Sequence, residues 1–143
     1  MAKPDPTLLA LARYPFAKEI ATRFGDLDVI GHVNNTAIVG VLEEARVRFH
    51  GAIGLAEEMI GYAAMVASIT VEYLAQAHYP TPLLAHVGVL EIGRTSYKLD
   101  VLMTQNGAVV SFARTVMVCV AEGKGVPMSP AFVEHLRAWM VRE

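Results

Sequence analysis

The residue types that could carry out chemistry in this chain are concentrated in one run, residues 24–35. This run places Asp28 on a turn that contains Gly31 and leads to Asn34 and Asn35, just before a long amphipathic segment. A carboxylate can act as a general base on water or as a nucleophile. The first N–H groups of a helix lack intrahelical acceptors and carry the positive end of the helix dipole. Together these groups predict attack on a thioester or ester carbonyl, with the oxyanion stabilised at the helix start.

The same residues also fit a purely structural role. Asp, Asn and Gly are common in turns, and either Asn34 or Asn35 can cap the following helix. By residue type, His32 is either an acid–base group or a hydrogen-bonded structural residue. On the residues alone, both interpretations of the run stay open: a catalytic site, or a turn followed by a cap.

Periodicity predicts the elements that would position this run. Apolar residues recur at helical spacing over residues 36–50, and Gly51 and Gly54 end the pattern. Alternating residues predict five strands, at about residues 17–24, 68–73, 84–92, 97–103 and 109–120. The last residues of the chain predict a short helix at about residues 130–140. The Asn106-Gly107 pair predicts a hairpin. Consecutive hairpins and one long amphipathic helix predict an α+β fold, in which an antiparallel sheet curves around the helix.

Composition narrows the class of protein. A length of 143 residues predicts one domain over residues 1–143, with the proline-rich residues 1–15 as a loose lead-in. Hydrophobic residues make up 54% of the chain and charged residues 18%, which predicts apolar surface hidden in an oligomer interface or a ligand tunnel. No apolar run approaches the ~20 residues that span a bilayer. The net charge of −2, without a basic cluster, argues against nucleic-acid binding.

The remaining reactive side chains predict little chemistry. Cys119 is the single cysteine, which excludes an internal disulfide and favours the cytoplasm. It lies in an apolar strand, so we expect an inert thiol. The other histidines lack the spacing of metal ligands, and we expect no metal. Glu43 and Glu44 offer a second carboxylate, but Arg46 and Arg48 are the favoured partners.

The motif in residues 26–35, Asp-Leu-Asp-Val-Ile-Gly-His-Val-Asn-Asn, with Leu-Glu-Glu-Ala-Arg in residues 42–46, resembles the hotdog-fold thioesterases. It is most similar to the 4-hydroxybenzoyl-CoA thioesterase family and its bacterial acyl-CoA thioesterase relatives, over roughly residues 16–127. The resemblance implies that Asp28 is the catalytic aspartate and that the backbone amide of Asn35 polarises the carbonyl. It assigns His32 and Asn34 orienting or structural roles. It also implies a homodimer or homotetramer with a continuous sheet and an active site at the dimer interface.

The resemblance and the residues together predict a cytoplasmic acyl-CoA thioesterase that needs no cofactor, because a thioester is already activated. Ile30 stands where the acyl-carrier-protein thioesterases of this fold have an asparagine, and this difference favours a coenzyme A thioester. We expect Ile38 to bound the acyl group, and Arg94 and Lys98 to meet the phosphates of coenzyme A. No membrane or nucleic-acid partner is expected.

Three questions stay open at this level. Asp28 could attack the carbonyl itself or activate a water molecule. His32 with Glu43 could serve an enoyl-thioester hydratase of the same fold. A non-catalytic protein that binds or senses acyl-CoA is the alternative outside the enzymes.

Overall fold

The long helix and the strands follow one another along the chain in the order that the periodicity predicts. The computed structural model describes residues 3–143. Its elements are β1 Phe16–Ile20, α1 Asn35–Ala52, β2 Ala63–Tyr73, β3 Leu83–Ile92, β4 Ser96–Gln105, β5 Ala108–Ala121, β6 Lys124–Gly125 and α2 Pro130–Arg137. The strands pair antiparallel in the order β1-β3-β4-β5-β2, and the short β6 lies beside β5. The helix α1 packs on the curled sheet, which confirms the predicted α+β arrangement.

An apolar stripe along α1 anchors the helix to the sheet. Ile38, Leu42, Ala45 and Phe49 recur at helical spacing, and each is at most 2% exposed. Burial of a large apolar side chain contributes about 1.5–3 kcal/mol, so this stripe fixes the helix position. On the solvent side, the predicted ion pair between Glu44 and Arg48 is confirmed at 3.3 Å. Both of its side chains are about half exposed, so the pair adds little to stability.

The strand β2 forms one edge of the sheet. Within residues 3–143 it pairs with β5 alone, so the backbone groups on its outer side have no strand partner in this protomer. Its side chains include exposed apolar residues, with Met65 57% and Val66 42% exposed. β2 begins at Ala63, five residues before the predicted start. The prediction missed these five residues because they show no alternation of apolar and polar types.

Two other predicted elements, the first strand and the final helix, extend too far at their C-terminal ends. The strand predicted over residues 17–24 ends at Ile20, and Phe24–Asp26 forms a 3-10 turn instead. The side chains of Arg23 and Asp26 form a 2.6 Å ion pair across this turn. The final helix ends at Arg137, earlier than the predicted residue 140.

The N-terminal segment is more ordered than the loose lead-in predicted for residues 1–15, of which residues 1–2 lie outside the described part. Two 3-10 turns cover Pro6–Leu9 and Leu11–Arg13. Arg13 lies 2.8 Å from the fully buried carboxylate of Asp100, which also binds Arg114. This ion pair fixes the segment to the sheet. Sequence patterns could not reveal it, because the two partners lie 87 positions apart.

Among the helices of residues 3–143, none combines the length and the apolar character that crossing a membrane requires.

Candidate active site

The run of residues 24–35 contains a narrow hairpin that ends at the first residue of α1. The N–H of Asp28 donates to the carbonyl oxygen of His32 at 2.8 Å. Nearer the helix, the N–H of Asn34 donates to the carbonyl oxygen of Asp26, also at 2.8 Å. An antiparallel bridge joins the residue pair between these two bonds. The hairpin therefore connects the carboxylate of Asp28 to the helix start through paired backbone.

Within residues 3–143, only one oxygen of the Asp28 carboxylate accepts hydrogen bonds. Its Oδ1 accepts hydrogen bonds from the N–H groups of Ile30, at 3.0 Å, and His32, at 3.1 Å. Gly31 completes the turn with a φ of +84°, a conformation that favours glycine. Within residues 3–143, Oδ2 of Asp28 makes no hydrogen bond and no ion pair. One oxygen thus shapes the turn, and the other remains available to a substrate or a water molecule.

The N–H of the first residue of α1 is unused among the described residues. Asn34 is the N-cap of α1, and its side-chain oxygen accepts from the N–H of Thr36 at 2.8 Å. Asn35 is the first helical residue, and its N–H has no acceptor among the described residues. The carbonyl oxygen of Asn35 accepts a hydrogen bond from the hydroxyl of Tyr73 at 2.8 Å. Because Asn34 supplies the cap, the N–H of Asn35 is left at the positive end of the helix dipole.

A second segment, residues 77–81, packs against the hairpin. The ring of His78 lies edge-on to the ring of His32, with 4.9 Å between their centroids. The carbonyl oxygen of Ala77 accepts the N–H of Val33 at 2.8 Å. Nδ1 of His32 is buried without a hydrogen-bond partner in the part of the chain that the structure describes. The backbone of His32 contacts Asp28, whereas its ring packs on His78; the orienting or structural role of this residue stays a prediction.

Sequence reasoning missed the residue that holds this second segment. Gln105, at the end of β4, is 6% exposed. Its side chain makes three hydrogen bonds of 2.8 Å, two with the backbone of His78 and one with the carbonyl oxygen of Thr81. The available signal was a glutamine at the end of a strand, directly before the Asn106-Gly107 turn. His78 gave no signal, because its contact with His32 depends on the tertiary fold.

The three residues predicted to bind substrate do not form an accessible surface beside Asp28 in the protomer. Ile38 is 2% exposed and belongs to the core, so it does not offer an accessible surface to an acyl group. Lys98 lies 3.3 Å from Glu91, and Arg94 lies in the turn after β3. That turn is separated from residues 77–81 by the length of β3, roughly 30 Å at 3.3 Å per residue. The sequence shows that these cations exist, but it does not show at which end of the sheet they lie.

Other reactive groups lie apart from the hairpin. Cys119 is fully buried, and burial raises the pKa of its thiol to about 11. Glu43 lies 3.8 Å from Arg46, the favoured kind of partner. In residues 3–143, no group of three or more His, Cys, Asp or Glu side chains could hold a metal ion. A cavity of about 620 Å³ lies between the N-terminal segment and the end of the chain, away from Asp28.

The chain is similar to known proteins over most of its length. A thioesterase from Thermus thermophilus, solved in complex with coenzyme A and Zn, is 30% identical with a TM-score of 0.78, over 88% of this chain and 94% of that one. A predicted thioesterase from Bacillus stearothermophilus is 25% identical with a TM-score of 0.80, over 90% of this chain and 98% of that one. The uncharacterised protein YsmA of Bacillus subtilis is 26% identical over 117 residues, which are 81% of this chain and 80% of YsmA.

The family assignment rests on a match that covers the hairpin, α1 and strands β2 to β6. A model of the thioesterase-like superfamily matches residues 22–139. The predicted hotdog fold and the predicted class of enzyme, a thioester hydrolase, are thereby confirmed. The narrower similarity to 4-hydroxybenzoyl-CoA thioesterases stays a prediction. The chain belongs to the thioesterase-like superfamily.

Proposed function

We propose that this protein is an acyl-CoA thioesterase, which hydrolyses a thioester to a free carboxylic acid and coenzyme A. One observation carries the proposal: Asp28 and the unpaired N–H of Asn35 lie on the same hairpin. In the hairpin Asp28 pairs with His32, and Asn35 follows His32 by three residues, which is a backbone path of roughly 10 Å at 3.3 Å per residue. A carbonyl whose oxygen accepts the N–H and whose carbon lies within attack range of a carboxylate spans roughly 7 Å, and the side chain of Asp28 adds reach at the other end.

The proposed reaction uses both ends of this gap. The thioester oxygen accepts the N–H of Asn35, which polarises the carbonyl and stabilises the oxyanion. Asp28 then takes a proton from an attacking water, or attacks the carbon to form an anhydride that water hydrolyses. In both routes the carbon–sulfur bond breaks, the thiolate of coenzyme A leaves and takes a proton, and Asp28 returns to its carboxylate form. Loss of such an N–H donor costs about 2.7–4 kcal/mol in other enzymes.

Coenzyme A is the proposed leaving group. The relative from Thermus thermophilus was solved with coenzyme A, and this relative is 30% identical to the chain. Ile30 replaces the asparagine of the acyl-carrier-protein enzymes, which supports the same choice. Val29 and Ile30 follow Asp28 and are 103% and 67% exposed, so the turn offers apolar surface beside the carboxylate. The single buried thiol of Cys119 supports a reducing compartment such as the cytoplasm.

A homodimer is part of the proposal. β2 carries an unpaired outer edge within the described residues, and an exposed edge strand is a template for pairing with another chain. Pairing of β2 with β2 of a second copy would cover Met65 and Val66, extend the sheet and bring a second copy toward Tyr73 and Asn35. The site is open in the protomer, and a second copy would supply its other wall. Assembly of two such dimers into a tetramer stays a prediction.

A hydratase is less well supported. His32 would need Glu43 as a partner, but Glu43 lies eight residues into α1, about 12 Å along the helix from its start. Its side chain is 72% exposed and lies near Arg46. The contact with Arg46 does not bring Glu43 and His32 to one reacting centre.

The test is release of free thiol across a panel of aliphatic and aromatic acyl-CoA esters, with Asp28→Asn as the matched control. Asparagine keeps an oxygen that accepts the N–H groups of Ile30 and His32, so the fold should persist while turnover is lost. Wild-type activity in Asp28→Asn would contradict the role of Asp28. A rise in Tm with acyl-CoA but no thiol release would indicate a binding protein. Loss of enoyl absorbance without free thiol would indicate a hydratase.

A further inference from the structure

We propose that Gln105 is a positioning residue for the catalytic hairpin, an inference that rests on the proposed function. Its carboxamide is buried, and all of its hydrogen bonds within residues 3–143 go to the segment 77–81. Oε1 accepts the N–H of His78, while Nε2 donates to the carbonyl oxygens of His78 and Thr81, each at 2.8 Å. One side chain from β4 therefore fixes this segment by its backbone.

The segment in turn holds the half of the hairpin that faces Asp28. The carbonyl oxygen of Ala77, one residue before the Gln105 contacts, accepts the N–H of Val33. The ring of His78 packs on His32, whose N–H is one of the two donors to Oδ1 of Asp28. A shift of residues 77–78 should therefore move the N–H of His32, one of the two donors that orient the carboxylate.

Only an amide fits this environment fully. A glutamate would place a charged oxygen beside two carbonyl oxygens, and an apolar side chain would leave the N–H of His78 without its acceptor. A buried polar group without a partner is costly, so the segment would move to reach water. The carbonyl oxygen of Thr81 also accepts the hydroxyl of Thr22 at 3.1 Å, so the segment should shift rather than unfold when Gln105 is replaced.

The neighbouring residue Thr104 supplies a matched control. It is 3% exposed and lies next to Gln105 on the same strand. Its hydroxyl lies 3.1 Å from Nε2 of His86, on β3. Thr104→Val therefore removes a buried hydrogen bond from the same strand without changing a contact to residues 77–81.

The experiment compares Gln105→Met and Thr104→Val with the wild type by kcat, KM, Tm and hydrogen–deuterium exchange of residues 28–36. Gln105→Met should lower kcat roughly 10- to 100-fold, with KM within about twofold, because a small misplacement of a catalytic group has effects of this size. It should also speed exchange in residues 28–36. Thr104→Val should match the wild type in kcat and in this exchange, even where it lowers Tm.

Gln105→Glu adds a pH readout. Protonation would restore one of the two lost donors, so the ratio of its kcat to the wild-type kcat should rise as the pH is lowered. If the variant lost function through general destabilisation, the ratio would not rise as the pH is lowered.

Wild-type kcat in Gln105→Met, or equal losses in Gln105→Met and Thr104→Val, would overturn the inference while leaving the role of Asp28 intact. Absence of thiol release from the wild type would instead overturn the proposed function. In that case the exchange measurement alone would decide whether Gln105 positions the hairpin.

Discussion

The hydroxyl of Tyr73 donates a 2.8 Å hydrogen bond to the carbonyl oxygen of Asn35. This bond joins the last residue of the edge strand β2 to the first residue of α1. It restrains the residue whose N–H is proposed to hold the oxyanion. The same strand carries the unpaired sheet edge, so the interface proposed for a second copy and the helix start are mechanically connected through Tyr73.

Tyr73→Phe should lower kcat several-fold while barely changing stability. The lost bond is partly exposed, and a typical hydrogen bond contributes only about 0.5–1.5 kcal/mol to stability. Tyr79→Phe is the matched control, because both tyrosines are 43% exposed and the hydroxyl of Tyr79 makes no hydrogen bond within residues 3–143. Thiol-release kinetics and thermal unfolding of both variants are the measurements. Equal kcat values for the two variants would show that the bond to Asn35 has no role in catalysis.

Gly31→Ala should destabilise the protein by about 1–2 kcal/mol through backbone strain. Gly31 has a φ of +84°, and a Cβ there would meet no atom within 4 Å, so crowding makes no contribution. Gly25→Ala is the control, since a Cβ at Gly25 also meets nothing within 4 Å and its φ lies outside the left-handed region. That substitution should be neutral or slightly stabilising. Urea midpoints measure both, and a stable Gly31→Ala protein would contradict the turn geometry around Asp28.

Stability should fall as the pH is lowered from about 6.5 to about 4, in part because of His50. Burial, reinforced by the charge of Arg46, lowers the pKa of His50 from 6.5 to about 4. In this window the unfolded chain binds a proton at His50 that the folded chain excludes, so acid favours unfolding. Below about pH 4 both states are protonated and the effect levels off. The full contribution is on the order of 3 kcal/mol.

His50→Gln isolates this contribution. Glutamine does not titrate, yet it can still hydrogen bond to the hydroxyl of Tyr97, which lies 3.0 Å from Nε2 of His50. Urea unfolding at pH 7.5 and pH 4.5 should therefore show a smaller loss of stability for the variant than for the wild type. Burial also lowers the pKa of His86, but that residue is present in both proteins and cancels in the comparison. Equal losses would exclude His50 as a source of the acid sensitivity.

Met65→Lys should convert the proposed dimer into a monomer and lower its thioesterase activity. Met65 is 57% exposed on the edge strand, so the protomer can accept lysine without a change in its core. A lysine on an edge strand opposes pairing with another chain. Val47→Lys, at a 62% exposed position on α1, is the control for added charge. Light scattering after size-exclusion chromatography measures the mass; a wild-type protein that is active as a monomer would contradict the shared site.

The sequence by itself determined the parts of this protein that depend on neighbours along the chain. Helical spacing from Ile38 to Phe49 defined α1, and alternation defined the central strands, because backbone geometry repeats every 3.6 or 2 residues. The spacing of Asp28, Gly31 and Asn35 predicted a turn before a helix start, since glycine and the first helical N–H groups have local preferences. The resemblance of this motif to hotdog thioesterases then indicated the family.

Only the tertiary structure decided which side chains meet across the fold. In the folded chain Ile38 is buried and Arg94 lies at the far end of β3. Arg13 pairs with Asp100, and the side chain of Gln105 binds the backbone of His78. Each of these contacts depends on strand order and register, which are set by pairing between residues far apart in the chain. Local periodicity carries no information about which strand ends share an edge, so these relationships could not be predicted from spacing.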